Sequence, residues 1–182
     1  MTKVICALII GTALLISGCG SIQKGEDPQE MPDGAWNAAD SRMIASDMAQ
    51  ELIVHPWLEQ FRQSHLRSPV LILDSFGGIN METETMETFA RDITDELLNT
   101  GILRLVLPRG DLSAGDVFPV LPITDELAIM AGADYVLKGA VIAATLSIKD
   151  QKCVDYQVAL RLVDPKTGMG VWQAMRSLRK RL

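Results

Sequence analysis

The chain has 182 residues, of which 48% are apolar and 5% aromatic, and its formal net charge at pH 7 is −6. An acidic chain of this kind is not a general nucleic-acid binder, because such proteins carry a strong basic excess. The length is enough for one ordinary domain with a hydrophobic core. The three cysteines do not make a disulfide framework.

The first residues have the layout of a secretory signal. Lys3 precedes an uncharged apolar run over 4–16, and small residues follow around Cys19. The motif Ile-Ser-Gly-Cys resembles a bacterial lipobox, in which the thiol receives diacylglycerol and a peptidase cuts immediately before it. We therefore predict a signal peptide over 1–18 and lipid attachment at Cys19, with an uncleaved membrane anchor as the alternative. An aspartate directly after the lipidated cysteine resembles the signal for retention in the inner membrane. This chain has Gly20 at that position, which favours the outer membrane.

A segment rich in Gly, Pro and charge follows the cysteine, and we predict a flexible linker over 19–39. At about 3.3–3.6 Å per residue it reaches roughly 70 Å at most from Cys19 to Asp40. Its typical span as a flexible coil is nearer to about 25 Å. The tether is therefore short, and the folded domain is predicted over 40–182.

The predicted domain begins with two helices. Asp40 can cap the first, whose apolar residues recur at helical spacing. The first helix is predicted to break at His55-Pro56, because a proline disfavours the helical conformation of the residue before it, and Pro56 can begin a second short helix. Trp57 is interpreted as a core residue of that helix, with a binding anchor as the alternative.

A strand and a long helix come next. The apolar run 69–76 has the length of a strand, and the residues after it, 77–85, are predicted to form a loop. Thr83 is a plausible cap for a helix with one apolar stripe, and Gly101 sits where a helix commonly ends.

The next elements are a second strand at 101–108 and a short helix capped by Thr124 and closed near Gly132. The strand that follows, 133–148, is apolar at both parities, so both of its faces are predicted to be covered.

The last two predicted strands form a hairpin. The strand 153–164 alternates, so that Tyr156, Val158, Leu160 and Leu162 point one way while Gln157 and Arg161 point the other. A tight turn at Pro165 and Gly168 leads to the last strand. The element order predicts an α/β or α+β fold, a mixed β-sheet packed with helices.

Four segments resemble, in order and spacing, the LpoB-type penicillin-binding-protein activator lipoproteins: HPWLEQF, ARDITDELLNTGILRLV, AGADYVLKGAV and YQVALRLVDPKTGMGVW. The resemblance runs from about Asp40 to the C-terminus. It implies the architecture shared with curli-secretion lipoproteins and the N-terminal domain of TolB. It also implies a domain, lipid-anchored on the periplasmic face of the outer membrane, that binds a bifunctional penicillin-binding protein and raises its peptidoglycan synthesis. The linker and the segment 108–124 are shorter than in the best-known members.

The sequence carries no catalytic or metal-binding motif. His55 and His65 have no cysteine or carboxylate near them at metal-ligand spacing. Neither a phosphate-binding glycine loop nor a G-x-S-x-G elbow occurs. The carboxylates near the end of the long helix are interpreted as a solvated face. We therefore expect no enzyme activity, no cofactor, no metal and no small-molecule substrate, and we expect Cys153 to be buried.

A chain without catalytic residues acts through contact. Lys138 interrupts an apolar strand and Arg161 points away from the predicted core, so both are predicted to bind the partner, with snorkelling as the alternative for Lys138. The basic run 176–181 is interpreted as a solvated strand end, with an acidic partner or anionic lipid as the alternative. The leading hypothesis is a regulatory binding module. A structural or assembly lipoprotein, such as a secretion component, and an enzyme are the alternatives.

Overall fold

The structure is a computed structural model that describes residues 34–106, 122–148 and 151–182. The predicted signal peptide, Cys19 and the part of the predicted linker before Gly34 lie outside the described residues. The elements are α1 (Ala38–Val54), α2 (Pro56–His65), β1 (Val70–Leu73), β2 (Gly77–Ile79), α3 (Thr83–Asn99), β3 (Arg104–Val106), α4 (Asp125–Met130), β4 (Tyr135–Ile148), β5 (Gln151–Val163) and β6 (Gly170–Arg181).

The strands form one mixed sheet in the order β3-β1-β4-β5-β6, and β2 also pairs with β4. β1 is parallel to both β3 and β4, whereas β4, β5 and β6 are joined antiparallel. Helices α1 and α3 pack together and bury their apolar stripes in the main core of the protein. The predicted fold class, a mixed sheet packed with helices, is confirmed.

The N-cap of helix α1 lies three residues earlier than predicted. Asn37 is the N-cap, and its side-chain oxygen accepts hydrogen bonds from the N–H groups of Ala39 and Asp40 at 2.9 and 3.1 Å. Asp40 is the third helical residue, and its carboxylate accepts a hydrogen bond from the Asn37 N–H. The prediction of Asp40 as the cap is therefore wrong. Asn and Asp are both good caps, so residue type alone did not choose between them.

The helix break at His55-Pro56 is confirmed. His55 has an extended backbone, and its Nδ1 accepts a hydrogen bond of 3.4 Å from the Trp57 N–H, while Pro56 is the first residue of α2. Trp57 is buried, and its Nε1–H donates to the Leu52 carbonyl at 2.9 Å. The core interpretation of Trp57 is confirmed.

The segment after β1 differs from the predicted loop. Gly77–Ile79 form β2, which pairs in parallel with β4. Glu82 is the N-cap of α3 without a side-chain capping bond, and Thr83 is the first helical residue, so the prediction of Thr83 as the cap is wrong. Three residues are too few to show strand periodicity. The predicted end at Gly101 is confirmed, since this residue has a φ of +64°, which favours glycine.

The two longest strands bury their residues differently. On β5 the predicted alternation is confirmed, with Leu160 and Leu162 buried and Arg161 exposed. On β4 both faces are covered only near the start, where Leu137 enters the main core and Val136 packs in a second cluster with α4. Farther along β4, Ile142 is exposed. The prediction of two covered faces therefore fails for the second half of β4.

Residues before α1, which the sequence places in a linker, lie against the domain. Trp36 is 8% exposed, and its ring contacts Phe89 and Tyr156 edge-on at centroid distances of 6.2 and 5.3 Å. The Tyr156 hydroxyl donates to the Gly34 carbonyl at 2.9 Å, and the Lys180 ammonium donates to the Ala35 carbonyl at 2.7 Å. The chain is thus held on the sheet from Gly34 onward.

Candidate functional site

Among the described residues, α1 and α3 pack on one face of the sheet, and on the other face only α4 packs, near the start of β4. Because side chains alternate along a strand, every second residue of β4, β5 and β6 points to this second face. We call this surface the open face. Its members beyond the part covered by α4 are Lys138, Ala140 and Ile142 of β4, Gln157, Ala159 and Arg161 of β5, and Gln173, Met175 and Ser177 of β6.

The strand register brings the two predicted partner-binding residues together. Lys138 pairs directly with Arg161, which in turn pairs with Gln173. Like charges opposite each other across two strands repel, so this pair has a cost unless a counter-charge is near. The Lys138 ammonium has two counter-charges, the Asp74 carboxylate at 3.9 Å and the Asp125 carboxylate at 3.8 Å.

Arg161 has different surroundings. Its side chain is exposed, and no carboxylate of the described residues lies within ion-pair distance of it. It borders a groove of about 450 Å³ on the open face, whose floor includes Ala140 and Ala159. It also borders a second cavity of about 480 Å³, beside the irregularity between Leu162 and Val163 where β6 changes register. Arg161 therefore presents its guanidinium between two concave surfaces.

Apolar groups lie next to these cations. Met175 borders the same groove and is 63% exposed, and Ile142 lies one row farther along β4. The alanines of the floor leave the sheet backbone approachable, because their side chains are short. Arginine and methionine are enriched in protein interfaces, whose centres are depleted of most other charges. The open face therefore combines an exposed arginine, an exposed methionine and an approachable sheet backbone.

The histidines have structural positions. His55 caps α2, and the ring of His65 stacks on Phe61 with the centroids 4.1 Å apart. In the described ranges, no three metal-ligating side chains come together. Cys153 is a buried free thiol, as predicted.

The basic run at the end of β6 divides into two groups that point to opposite faces of the sheet, because side chains alternate along a strand. Arg176 pairs with Asp47 and Glu51 of α1, and these hydrogen bonds, that of Asp47 first, raise the pKa of Arg176. Lys180 pairs with Asp40 at 2.7 Å and is largely buried. The interpretation of a solvated strand end is therefore wrong for these two residues, whose side chains tie β6 to α1.

The other group of this run points to the opposite side of β6. Arg179 contacts Asp155 at 3.1 Å and remains about half exposed, and Arg181 is exposed. No helix in the described part of the chain is long and apolar enough to cross a membrane.

The fold and the open face together define a mixed α+β domain with a sheet surface on which Arg161 is exposed beside apolar side chains. The family model described as the peptidoglycan-synthase activator LpoB matches residues 124–177, from the cap of α4 to the second half of β6. The resemblance to the LpoB family is confirmed over this segment, which contains Lys138 and Arg161.

Several solved structures are similar to this chain. The C-terminal domain of LpoB from Escherichia coli is 16% identical with a TM-score of 0.49, and the match covers 76% of this chain and 98% of that one. The corresponding Salmonella enterica domain is 20% identical with a TM-score of 0.41, covering 68% and 93%. The lipoprotein GNA1162 from Neisseria meningitidis is 16% identical with a TM-score of 0.45, covering 62% and 83%. Among proteins with curated descriptions, none is significantly similar in sequence.

Proposed function

We propose that this protein is a lipoprotein, anchored through Cys19 on the periplasmic face of the outer membrane, that binds and stimulates a bifunctional penicillin-binding protein. The observation that carries the proposal is the match of the peptidoglycan-synthase activator model to residues 124–177. That segment includes α4, β4 and β5 and most of β6, and so it contains the groove of the open face.

The charge distribution supports the open face as the docking surface. The whole chain has a net charge of −6, yet Arg161 borders the groove without an ion-pair partner among the described residues, whereas Lys138 lies within ion-pair distance of Asp74 and Asp125. An uncompensated cation on an acidic protein favours encounter with an acidic group of the partner and disfavours contact in other orientations.

The two cations are expected to contribute unequally. Lys138 is placed between Asp74 and Asp125, so part of its charge is already compensated within the protein. Arg161 is exposed and can offer its planar group to a partner carboxylate through two hydrogen bonds. We therefore expect the reversal of charge at Arg161 to weaken binding more than the reversal at Lys138.

Binding is tested with the full chain, purified in mild detergent, and the bifunctional penicillin-binding proteins of its own host. The wild-type chain should bind one of them, and Arg161→Glu should lower the affinity by about tenfold or more, equivalent to about 1.4 kcal/mol. Arg104→Glu is the matched control, because it makes the same charge change on an exposed residue of β3. It should bind like the wild type.

Two results would contradict the proposal. If the wild-type chain bound no bifunctional synthase of its host, the activator function would be wrong and the assembly lipoprotein would become the leading hypothesis. If Arg161→Glu and Arg104→Glu weakened binding equally, the partner would be bound elsewhere than on the open face.

A further inference from the structure

The chain enters the domain at a fixed point. Around Gly34 there is no room for a side chain, since a Cβ there would lie 2.5 Å from the Leu182 side chain and 2.8 Å from the Arg181 carbonyl oxygen. Two carbonyls of this segment accept hydrogen bonds from Tyr156 and Lys180, and Trp36 is buried beside them. Gly34 therefore lies at the end of the sheet where β5 begins and β6 ends.

Three cations lie at this end of the sheet, with the side chains of Arg179 and Arg181 on the face that continues into the open face and that of Lys152 on the opposite face. Lys152 and Arg181 are exposed, and no carboxylate in the described ranges forms an ion pair with either. Arg179 contacts Asp155 but is 54% exposed along its side chain. The Leu182 N–H donates to the Lys152 carbonyl at 2.9 Å, so the ends of the two strands are held together. We call Lys152, Arg179 and Arg181 the basic end.

The chain from Cys19 to Gly34 is short, and its length limits the distance between the cysteine and this end of the sheet. Fully extended it reaches about 50 Å, at roughly 3.3–3.6 Å per residue. As a flexible coil its average span is about 20 Å. This average span is only two to three times the Debye length of about 8 Å, over which salt screens charges at physiological ionic strength. A surface that binds weakly is then met at a high effective concentration.

We propose that the basic end rests on the anionic phospholipid headgroups of the membrane that carries the tether. The inference rests on the proposed lipid attachment at Cys19. Each cation near an anionic membrane surface adds a modest attraction. The high effective concentration that the tether produces makes this attraction sufficient for contact. Arg161 lies about 26 Å along β5 from Cys153, the register partner of Arg181, at roughly 3.3 Å per residue. The contact with lipid would hold the groove of the open face away from the bilayer.

Two exposed lysines allow an internal comparison. Lys152 lies in the basic end, whereas Lys166 lies in the turn between β5 and β6, at the opposite end of the hairpin. The full protein is reconstituted into vesicles of phosphatidylethanolamine and phosphatidylglycerol, or of phosphatidylcholine alone. It is then treated briefly with a water-soluble amine-acylating reagent, and the ratio of modification at Lys152 to that at Lys166 is measured by mass spectrometry. We expect this ratio to be at least threefold lower in the anionic vesicles.

Variants separate the contact from general effects of charge. Arg181→Glu should raise the ratio in anionic vesicles to its value in phosphatidylcholine, and Arg104→Glu, the same change on β3, should leave the protection intact. An equal ratio in both vesicles would overturn the proposal. A ratio that is already low in phosphatidylcholine and in detergent would also overturn it, because the acidic residues of the chain before Gly34 would then occupy the basic end.

Flotation of the vesicles keeps this inference apart from the proposed function. A protein that does not float with either vesicle has no membrane anchor, which would contradict both. A protein that floats, with a ratio that does not depend on lipid charge, would contradict only the headgroup contact. Stimulation of a synthase is measured separately and depends on neither ratio.

Discussion

Leu160 and Gln157 show how strongly one strand separates core from surface. The Leu160 side chain is 2% exposed in the main core, and Gln157 points to the open face. Leu160→Ala should lower the free energy of unfolding by about 2–5 kcal/mol, because it removes buried methyl groups and leaves a cavity. Gln157→Ala is the control, with an expected change within about 0.5 kcal/mol. Urea unfolding of both variants checks this, and equal losses would contradict the assigned faces of β5.

Some local signals in the sequence predict the conformation of single residues correctly, and others do not. The Thr124 side chain accepts a hydrogen bond from the Leu127 N–H, which confirms it as the predicted cap of α4. Gly168 has a φ of +70°, as the turn predicted. The sequence alone does not identify Asn37 rather than Asp40 as the N-cap of α1, because both side chains suit that position. What favours Asn37 is the reciprocal hydrogen bond with Asp40, together with the ion pair between Asp40 and Lys180, 140 residues away.

At the scale of elements, one carboxylate joins the end of α2 to the start of β4. Asp134 accepts two hydrogen bonds of 2.7 Å from the Arg67 guanidinium and one of 2.8 Å from the Val70 N–H. Its burial alone would raise the pKa of Asp134, but these hydrogen bonds outweigh it and lower that pKa. The ionised form is therefore favoured in the folded state.

This ion pair makes stability depend on pH in a defined direction. A carboxyl with a lowered folded pKa stabilises the protein above its unfolded pKa of about 3.9, and this contribution is lost as the pH falls through the folded value. Asp134→Asn should be less stable than the wild type at pH 7, and the difference should shrink below about pH 4. Unfolding free energies measured by urea between pH 3 and pH 7 check this. A difference that is constant with pH would show that the carboxylate does not act through its charge.

The elements that the sequence did not predict correctly are those whose environment is set from far along the chain. The alternation of buried and exposed residues on β5 is a local pattern, so the sequence predicts it correctly. The second half of β4 is apolar at both parities, so the pattern could not show that α4 covers only Val136 and its neighbours. The basic run of β6 mixes two faces, and only the packing of α1 shows that Arg176 and Lys180 are structural.

At the scale of the whole molecule, the proposed lipid attachment at Cys19 can be tested directly. Cys19→Ala should leave an unprocessed precursor that incorporates no labelled fatty acid, since the predicted peptidase cuts immediately before that cysteine. Metabolic labelling and the size of the product check this. Normal labelling and maturation of the variant would show that lipid attachment does not occur at Cys19.

The sequence predicts that Lys138 and Arg161 point away from the main core, because each is a charge at a position that a core does not need, and their role in partner binding stays a prediction. The groove between them could not be predicted from the sequence, because it depends on the register of three strands. Lys138 also lies near two carboxylates, that of Asp74 directly after β1 and that of Asp125 at the start of α4. No local sequence pattern shows that these three residues come together.

The rate of peptidoglycan synthesis tests the central claim most directly. The full chain is added to the bifunctional penicillin-binding protein that it binds, and the rate is measured in vitro for wild type, Arg161→Glu and Arg104→Glu. We expect wild type and Arg104→Glu to raise the rate alike, whereas Arg161→Glu should need about tenfold more protein for the same effect because it binds more weakly. A wild-type chain that binds the synthase and leaves its rate unchanged would contradict the account.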